Sequence, residues 1–259
     1  MSEDAAFTGE RLHASAALFA VDLARHQAAY ELARSHMGAG RVLDFGCGSG
    51  YGVSSLARRH ARVVGVDRIR PDAVHRSGPQ YVRADLRRSP FAAGAFELAL
   101  SFQVIEHLED PHPYVANLAA ALAPKGLAIL TTPNILMSDA VNPYHVHEYR
   151  AEELAECLRH HFGEVEMRGI GASDPVRAHL AARSRRIRRI IRLDPLRLRD
   201  RLPRPLVEWL FARFAVLVRS RAGSQDSAPA VSWHDFPVGP ADDICLDLLA
   251  FCRQPLEAR

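Results

Sequence analysis

At 259 residues and 48% apolar content, the chain suits one packed α/β domain with an elaboration and is too hydrophobic to be a disordered chain. Cys47, Cys157, Cys245 and Cys252 form no CxxC pair and are too sparse for a disulfide scaffold; no apolar run reaches the ~18–20 residues of a membrane span, and MSEDAAFTGER carries no secretory leader pattern. A cytoplasmic protein with reduced thiols is expected. The net charge of +3 conceals a segregation, because residues 176–222 hold fourteen arginines against Asp194, Asp200 and Glu208, leaving the rest of the chain acidic.

The first predicted element is a helix over residues 12–37, in which Leu12, Phe19, Leu23, Tyr30 and Met37 recur among alanines and charged residues before Gly38 and Gly40 stop it. Strand-length apolar runs then follow at residues 41–45, 61–66, 80–83, 96–102 and 126–131, with helix-like stretches between them. Asp110 as N-cap and Pro111 at the first helical position open a helix towards Leu122, which Lys125-Gly126 turns into the next strand. A helix over 151–161, a sixth strand over 164–170 and a seventh over 244–252 complete the pattern, with the arginine-rich segment and a linker-like 222–229 between the last two strands. Strands alternating with helices predict a doubly wound, Rossmann-like α/β fold with a seven-stranded, mostly parallel sheet. The layout is an N-terminal helical cap over 1–40, a core over 41–175, a basic helical insertion over 176–230 and a C-terminal strand region over 231–259.

The sharpest motif is VLDFGCGSGYG, where a strand ends near Asp44 and runs into Gly46, Gly48, Gly50 and Gly52 before a helix starts. Glycines there let backbone approach a ligand and adopt positive φ, while the helix start offers unpaired N–H groups. A diphosphate needs a site without competing negative charge, yet Asp44 stands two residues before the first glycine and favours an ammonium instead. Asp67, at the tip of VVGVD, can accept hydrogen bonds from both hydroxyls of a ribose. Asp85-Leu86 places a third acid beyond the third strand, suited to an exocyclic amine such as adenine's. Three acids at three consecutive strand ends fit S-adenosylmethionine, which carries an ammonium and a sulfonium and no phosphate.

These residues, with AFELALSFQVIEHLEDP, LAPKGLAILTTPN and NPYHVHEY, resemble the class I S-adenosylmethionine-dependent methyltransferase family in its sugar, quinone and natural-product branch, over roughly residues 40–170. The resemblance implies that Asp44 and the loop of Gly46, Cys47, Gly48 and Gly50 cradle the methionine part of the cofactor. By the same resemblance Asp67 holds the ribose, Asp85 and Leu86 frame the adenine, and Gln103 lines the pocket below the sulfonium, with Arg68 a further cofactor-binding residue. The FTGER segment resembles one that many members place over the active-site mouth. The product would be S-adenosylhomocysteine and the acceptor a small or lipid-linked molecule, an anionic one included.

An alcohol acceptor must lose a proton, and histidine is the usual base near neutral pH. The candidates are His107 in IEHLED and His145 and His147 in NPYHVHEY, all following strand ends; His145 is preferred, with Glu148 to orient it. The alternative is that these imidazoles only brace their loops. His145, His147 and Glu148 could ligate a metal, but no further clear ligand accompanies them and none is expected. The insertion, with an arginine-flanked apolar stripe and PLVEWLFARFAVLV, reads as a lid or acceptor subdomain, a helix on an anionic membrane surface, or a dimer contact in a homo-oligomer. A nucleic-acid enzyme is disfavoured because SFQVIEHL lacks the [DN]PP[YF] tetrapeptide; a nicotinamide oxidoreductase is disfavoured by Asp44 and Asp85. A cofactor-binding protein without catalysis is the remaining alternative.

Overall fold

The computed structural model describes residues 20–60, 62–88, 90–139, 142–191 and 230–256. In chain order these form α1 (Ala20–Ser35), β1 (Val42–Phe45), α2 (Tyr51–Ala57), β2 (Val63–Asp67), β3 (Gln80–Arg83), β4 (Phe96–Phe102), α3 (His112–Ala121) and β5 (Leu122–Pro133). They continue with α4 (Ala151–Arg159), β6 (Phe162–Ile170), α5 (Asp174–Ile191), β7 (Val238–Pro240) and β8 (Asp247–Pro255). The strands make one sheet in the order β3-β2-β1-β4-β5-β8-β6-β7. The first five in that order run parallel, β8 runs antiparallel to both β5 and β6, and β7 antiparallel to β6.

Burial on both faces is what makes the central strands near-continuous apolar runs in the sequence. Within β4, Leu98, Leu100 and Phe102 join one core with Tyr30 and Ala33 of α1, while Phe96 and Ala99 join the other with Tyr114 and Leu118 of α3. A register shift between Phe96 and Leu98 accounts for the change of phase along that strand. Helix α1 buries Val21, Ala24, Ala28, Ala29, Tyr30 and Ala33, and its four buried alanines let its backbone come close to the sheet. Asp110 accepts the His112 N–H at 3.0 Å, and Pro111 has helical φ and ψ, as the capping pattern predicts.

Among the described residues the sheet has eight strands where the sequence predicts seven. The additional one, β7, is Val-Gly-Pro on the sheet edge; it pairs through Gly169 and Gly239 and has no alternation to reveal it. The last strand begins at Asp247 rather than 244, because Asn134 Nδ2 binds the carbonyls of Asp242 (3.2 Å) and Cys245 (3.0 Å) and holds the preceding residues in a turn. The start of the first predicted helix, FTGER, residues 205–218 and the 222–229 linker lie outside the described residues. No helix among the described residues is long and apolar enough to cross a membrane.

The chain order reverses between β1 and β4, and in open α/β sheets such a switch point opens a crevice at the carboxyl ends of the strands. All the sites considered below lie at that edge. Its geometry depends on Gly52, buried in the first turn of α2, since a Cβ there would run into the Tyr30 ring. Gly52→Ala is therefore expected to cost ~1–3 kcal/mol through overpacking, read as a lower urea midpoint at unchanged m-value. Unaltered stability would mean that Tyr30 is not seated as described.

Candidate cofactor and acceptor site

Strand β1 delivers Asp44 and the glycine turn to the crevice. Gly46 and Gly48 take φ of 105° and 51°, where a side chain would be strained, and a Cβ on Gly46 would also collide with Val104. Space is open around the Gly48 Cα on the side where a Cβ would stand. The Gly46 and Cys47 N–H groups both donate to the Val66 carbonyl, and Gly48 N–H donates to Asp67 Oδ2 at 2.9 Å. Asp67 Oδ1 accepts the Ile69 N–H at 3.0 Å, so the tip of β2 and the glycine turn are laced together by one carboxylate.

Asp44 is 1% exposed. Its Oδ2 accepts the Tyr30 O–H at 2.9 Å, while Oδ1 is buried with no hydrogen-bond partner. Burial pushes the carboxyl up to about 7, against the Tyr30 bond and with the Asp67 charge adding to the rise. Tyr30 is seated by edge-to-face contacts with Phe102 (4.9 Å) and Tyr51 (5.6 Å), and its own phenol is pushed well above its ordinary range by burial. An orphaned buried carboxylate oxygen beside a glycine turn with open backbone fits the ammonium end of an amino-acid ligand.

The other predicted cofactor residues are in the same crevice edge but less enclosed. Arg68 is exposed, with its carbonyl accepting Arg83 Nε–H at 2.9 Å. Asp85 is exposed and receives a two-pronged bond from Arg87, Nη2 at 2.7 Å and Nε at 3.1 Å, which holds its carboxyl down at about 2. Leu86 packs partly buried against the second core, its carbonyl fixed by Asn117 Nδ2 at 3.1 Å. Gln103 has φ of 57°, a conformation costing roughly 1–3 kcal/mol in a non-glycine residue and concentrated at functional sites. Its N–H donates to the Thr131 carbonyl and its side chain bonds the buried Asp247 carboxylate.

Beyond Gln103 the structure gathers two of the three predicted histidines. The 3-10 turn Ile105–His107 and the NPYH turn meet, because the Glu106 carbonyl accepts the N–H groups of Val146 (2.8 Å) and His147 (3.1 Å). His107 Nδ1 donates to the Tyr144 carbonyl at 2.9 Å, and His145 Nδ1 to Glu148 Oε1 at 2.5 Å. The two rings lie 5.2 Å apart, edge to face. Burial raises the Glu148 carboxyl, but the bonds from His145 and Ser138 outweigh it and keep the group below its usual range. His147 is not brought to this group: its Nε2 binds Glu153 Oε1 at 2.6 Å, with both side chains half exposed.

Four residues here were not singled out by the sequence. Glu106 is fully buried; Oε2 accepts the Thr132 O–H at 3.0 Å and Oε1 has no partner. Burial raises its carboxyl, with His107 and His145 opposing. Asp247 opens β8, and Arg25 Nε on α1 stands 3.4 Å from its Oδ2. Tyr30 is the fourth. Glu106 is visible as the acid inside IEHLED, whereas Arg25, Tyr30 and Asp247 come together only through long-range packing. Helix α5, which begins the basic segment, is held to the body: Val176 is buried, Arg183 reaches Asp22 on α1 at 3.4 Å, and Ser184 donates to Asp139 at 2.9 Å.

This arrangement has relatives. The sequence model of a family described as "Methyltransferase domain" matches residues 23–163. A probable S-adenosylmethionine-dependent methyltransferase of Mycolicibacterium smegmatis is 35% identical over 153 residues, which are 55% of this chain and 59% of that protein. A ubiquinone biosynthesis O-methyltransferase of Maricaulis maris is 33% identical over 104 residues, 36% of this chain and 41% of the relative. The chain thus spans about half the length of the curated relatives it matches. Among solved structures, a SAM-dependent methyltransferase of Thermotoga maritima, titled a possible histamine N-methyltransferase, superposes with a TM-score of 0.58 over 91% of this chain and 92% of the other at 13% identity, a likeness of fold. With a family match over more than half of its length and a doubly wound sheet carrying the glycine turn and strand-end acids, the chain belongs to the methyltransferase-domain family, of the class I type that uses S-adenosylmethionine.

Proposed function

We propose that this chain transfers a methyl group from S-adenosylmethionine to an oxygen of a small-molecule, sugar or lipid-linked acceptor. The observation that carries the proton-transfer half is the pairing of His145 with Glu148: an ionised Glu148 accepts the Nδ1–H at 2.5 Å, which orients the ring and assigns proton exchange with the acceptor to Nε2. The identity with a ubiquinone biosynthesis O-methyltransferase over 104 residues supports oxygen as the acceptor atom.

The residues divide the work. Asp44 Oδ1 takes the cofactor's ammonium, satisfying an oxygen that the fold otherwise leaves orphaned. Asp67 takes the ribose hydroxyls; each of its oxygens already accepts one backbone N–H and keeps a second lone pair. Asp85 turns from Arg87 to the adenine amine, with Leu86 beneath the ring, and the loop of Gly46 to Gly50 lies along the methionine chain. Bound there, the cofactor supplies a methyl group already activated by a sulfonium. Gln103, the Asp247 edge and the docked α5 narrow the space facing that methyl, and alignment of this kind is worth roughly 7–11 kcal/mol in favourable systems. Arg25, the cation paired with Asp247, would meet an anionic group on the acceptor.

Two measurements test the halves separately. Asp67→Ala removes charge-assisted bonds worth ~1.5–3 kcal/mol, so calorimetry should find S-adenosylhomocysteine bound roughly ten- to a hundredfold more weakly; equal affinity contradicts the assignment. His145→Ala should bind S-adenosylhomocysteine as the parent does while turnover with hydroxylated acceptors falls by ~10²–10⁴, and full turnover would remove His145 from proton transfer.

A further inference from the structure

Two imidazoles and a carboxylate meet at the turn after β4, supplied by two loops that are bolted together. One potential ligand atom from each of Glu106, His107 and His145 lies within 4.8 Å of the other two. Ligands of a single bound ion, each about 2.0–2.2 Å from the metal, stand roughly 3–4 Å apart, so side-chain rotations of under an ångström would close the set. The backbone is already fixed by the bonds of Val146 and His147 N–H to the Glu106 carbonyl.

The outer partners point the same way. Histidines that bind metals through one nitrogen almost always donate the other N–H to a carboxylate or a backbone carbonyl, which fixes the tautomer and ring angle. Here His145 Nδ1–H meets the Glu148 carboxylate and His107 Nδ1–H meets the Tyr144 carbonyl, the outer bonds that would make Nε2 the metal-binding atom of each ring. Ser138 O–H in turn donates to Glu148 Oε1 at 2.8 Å. Glu106 provides the independent sign of a ligand: it is fully buried, Thr132 satisfies Oε2, and Oε1 has no partner at all. An orphaned buried acceptor of this kind is destabilising, and a cation would relieve it. The ligand that the HxHE pattern lacked in the sequence is thus Glu106, with Glu148 as the backing group and His147 turned away.

We infer that Glu106, His107 and His145 form a binding site for one divalent first-row transition-metal ion. Two imidazole nitrogens favour such an ion over magnesium or calcium, and three protein ligands leave coordination positions open for a water or an acceptor oxygen. The consequence for catalysis rests on the methyltransferase reading above. An acceptor hydroxyl in the open position loses its proton to solvent, the resulting oxyanion attacks the methyl carbon as the carbon–sulfur bond breaks, and the products are a methyl ether and S-adenosylhomocysteine. In the loaded site His145 is a ligand, and the metal takes over the activation that its lone pair otherwise provides.

The test is binding, measured without acceptor. The full chain is stripped with a chelator, dialysed and titrated with Mn(II), the free ion being read by electron paramagnetic resonance, with S-adenosylhomocysteine affinity followed in parallel as a check of folding. One Mn(II) per chain is expected. Glu106→Gln and His107→Gln should each weaken it tenfold or more, and Glu148→Gln, which leaves all three ligands in place, ten- to a hundredfold. His161→Ala, in the exposed group of His112, His160 and His161, should leave it unchanged. Absence of stoichiometric uptake by a chain that still binds S-adenosylhomocysteine overturns the site, as does uptake indifferent to Glu106→Gln and His107→Gln. Uptake by a chain that ignores S-adenosylhomocysteine would uphold the metal site while refuting the methyltransferase reading.

Discussion

The Tyr30 to Asp44 hydrogen bond joins the two parts of the molecule that must be in register for a site to exist. It ties α1 to the end of β1 from within the core, and it leaves the second oxygen of Asp44 buried and unsatisfied. Seating the phenol requires Gly52 in α2, which follows the glycine turn, so the lead helix, the turn and the first strand position one another. The arrangement costs stability without ligand. With a carboxyl raised from ~3.9 unfolded to about 7 folded, this group's contribution is fully present below pH ~4 and is lost as pH rises through 7. A cation at Oδ1 reverses the balance, which is how a binding site can be built into a core.

The same logic recurs 62 residues later in the chain. Glu106, like Asp44, is a carboxylate carried to the carboxyl edge of the sheet, half satisfied by a neighbouring hydroxyl and half left open. Asp44 follows the first strand into the glycine turn and Glu106 neighbours the two histidines, so under the proposed function one carboxylate would serve the cofactor and the other the reacting end. Arg25 on α1 pairs with Asp247 at the start of β8, and α5 is fastened to the body through Arg183 to Asp22 and Ser184 to Asp139.

Much of the frame was legible because strands buried on both faces leave unbroken apolar runs. Residues 96–102 are such a strand over the predicted span and Asp110-Pro111 opens α3, while 80–83 is a strand over its predicted span although it lies exposed to half-buried at the sheet edge. What escaped was non-periodic or non-local. Val238–Pro240 is a strand only because β6 offers it an edge, and Asp247 starts β8 only because Asn134 holds the turn before it. Asp44, Asp67 and Gly46 to Gly50 stand out in the sequence because one short segment must make both turn and charge. His145 with Glu148 was readable from their spacing of three. Tyr30 passed as one more apolar helix position, and Glu106 was overshadowed by His107, since neither sequence spacing nor residue type reveals that a side chain is half satisfied.

Receipt of the cofactor's ammonium by Asp44, as proposed, is measured most directly by proton linkage. Titrating the chain with S-adenosylhomocysteine at pH 6 in buffers of different ionisation enthalpy gives the number of protons exchanged on binding. A carboxyl at about 7 that ionises on meeting an ammonium should release close to one proton at pH 6 and almost none at pH 8, and Asp44→Asn should abolish the release. Binding with no proton release at pH 6, or the same release from the Asn variant, would contradict the account.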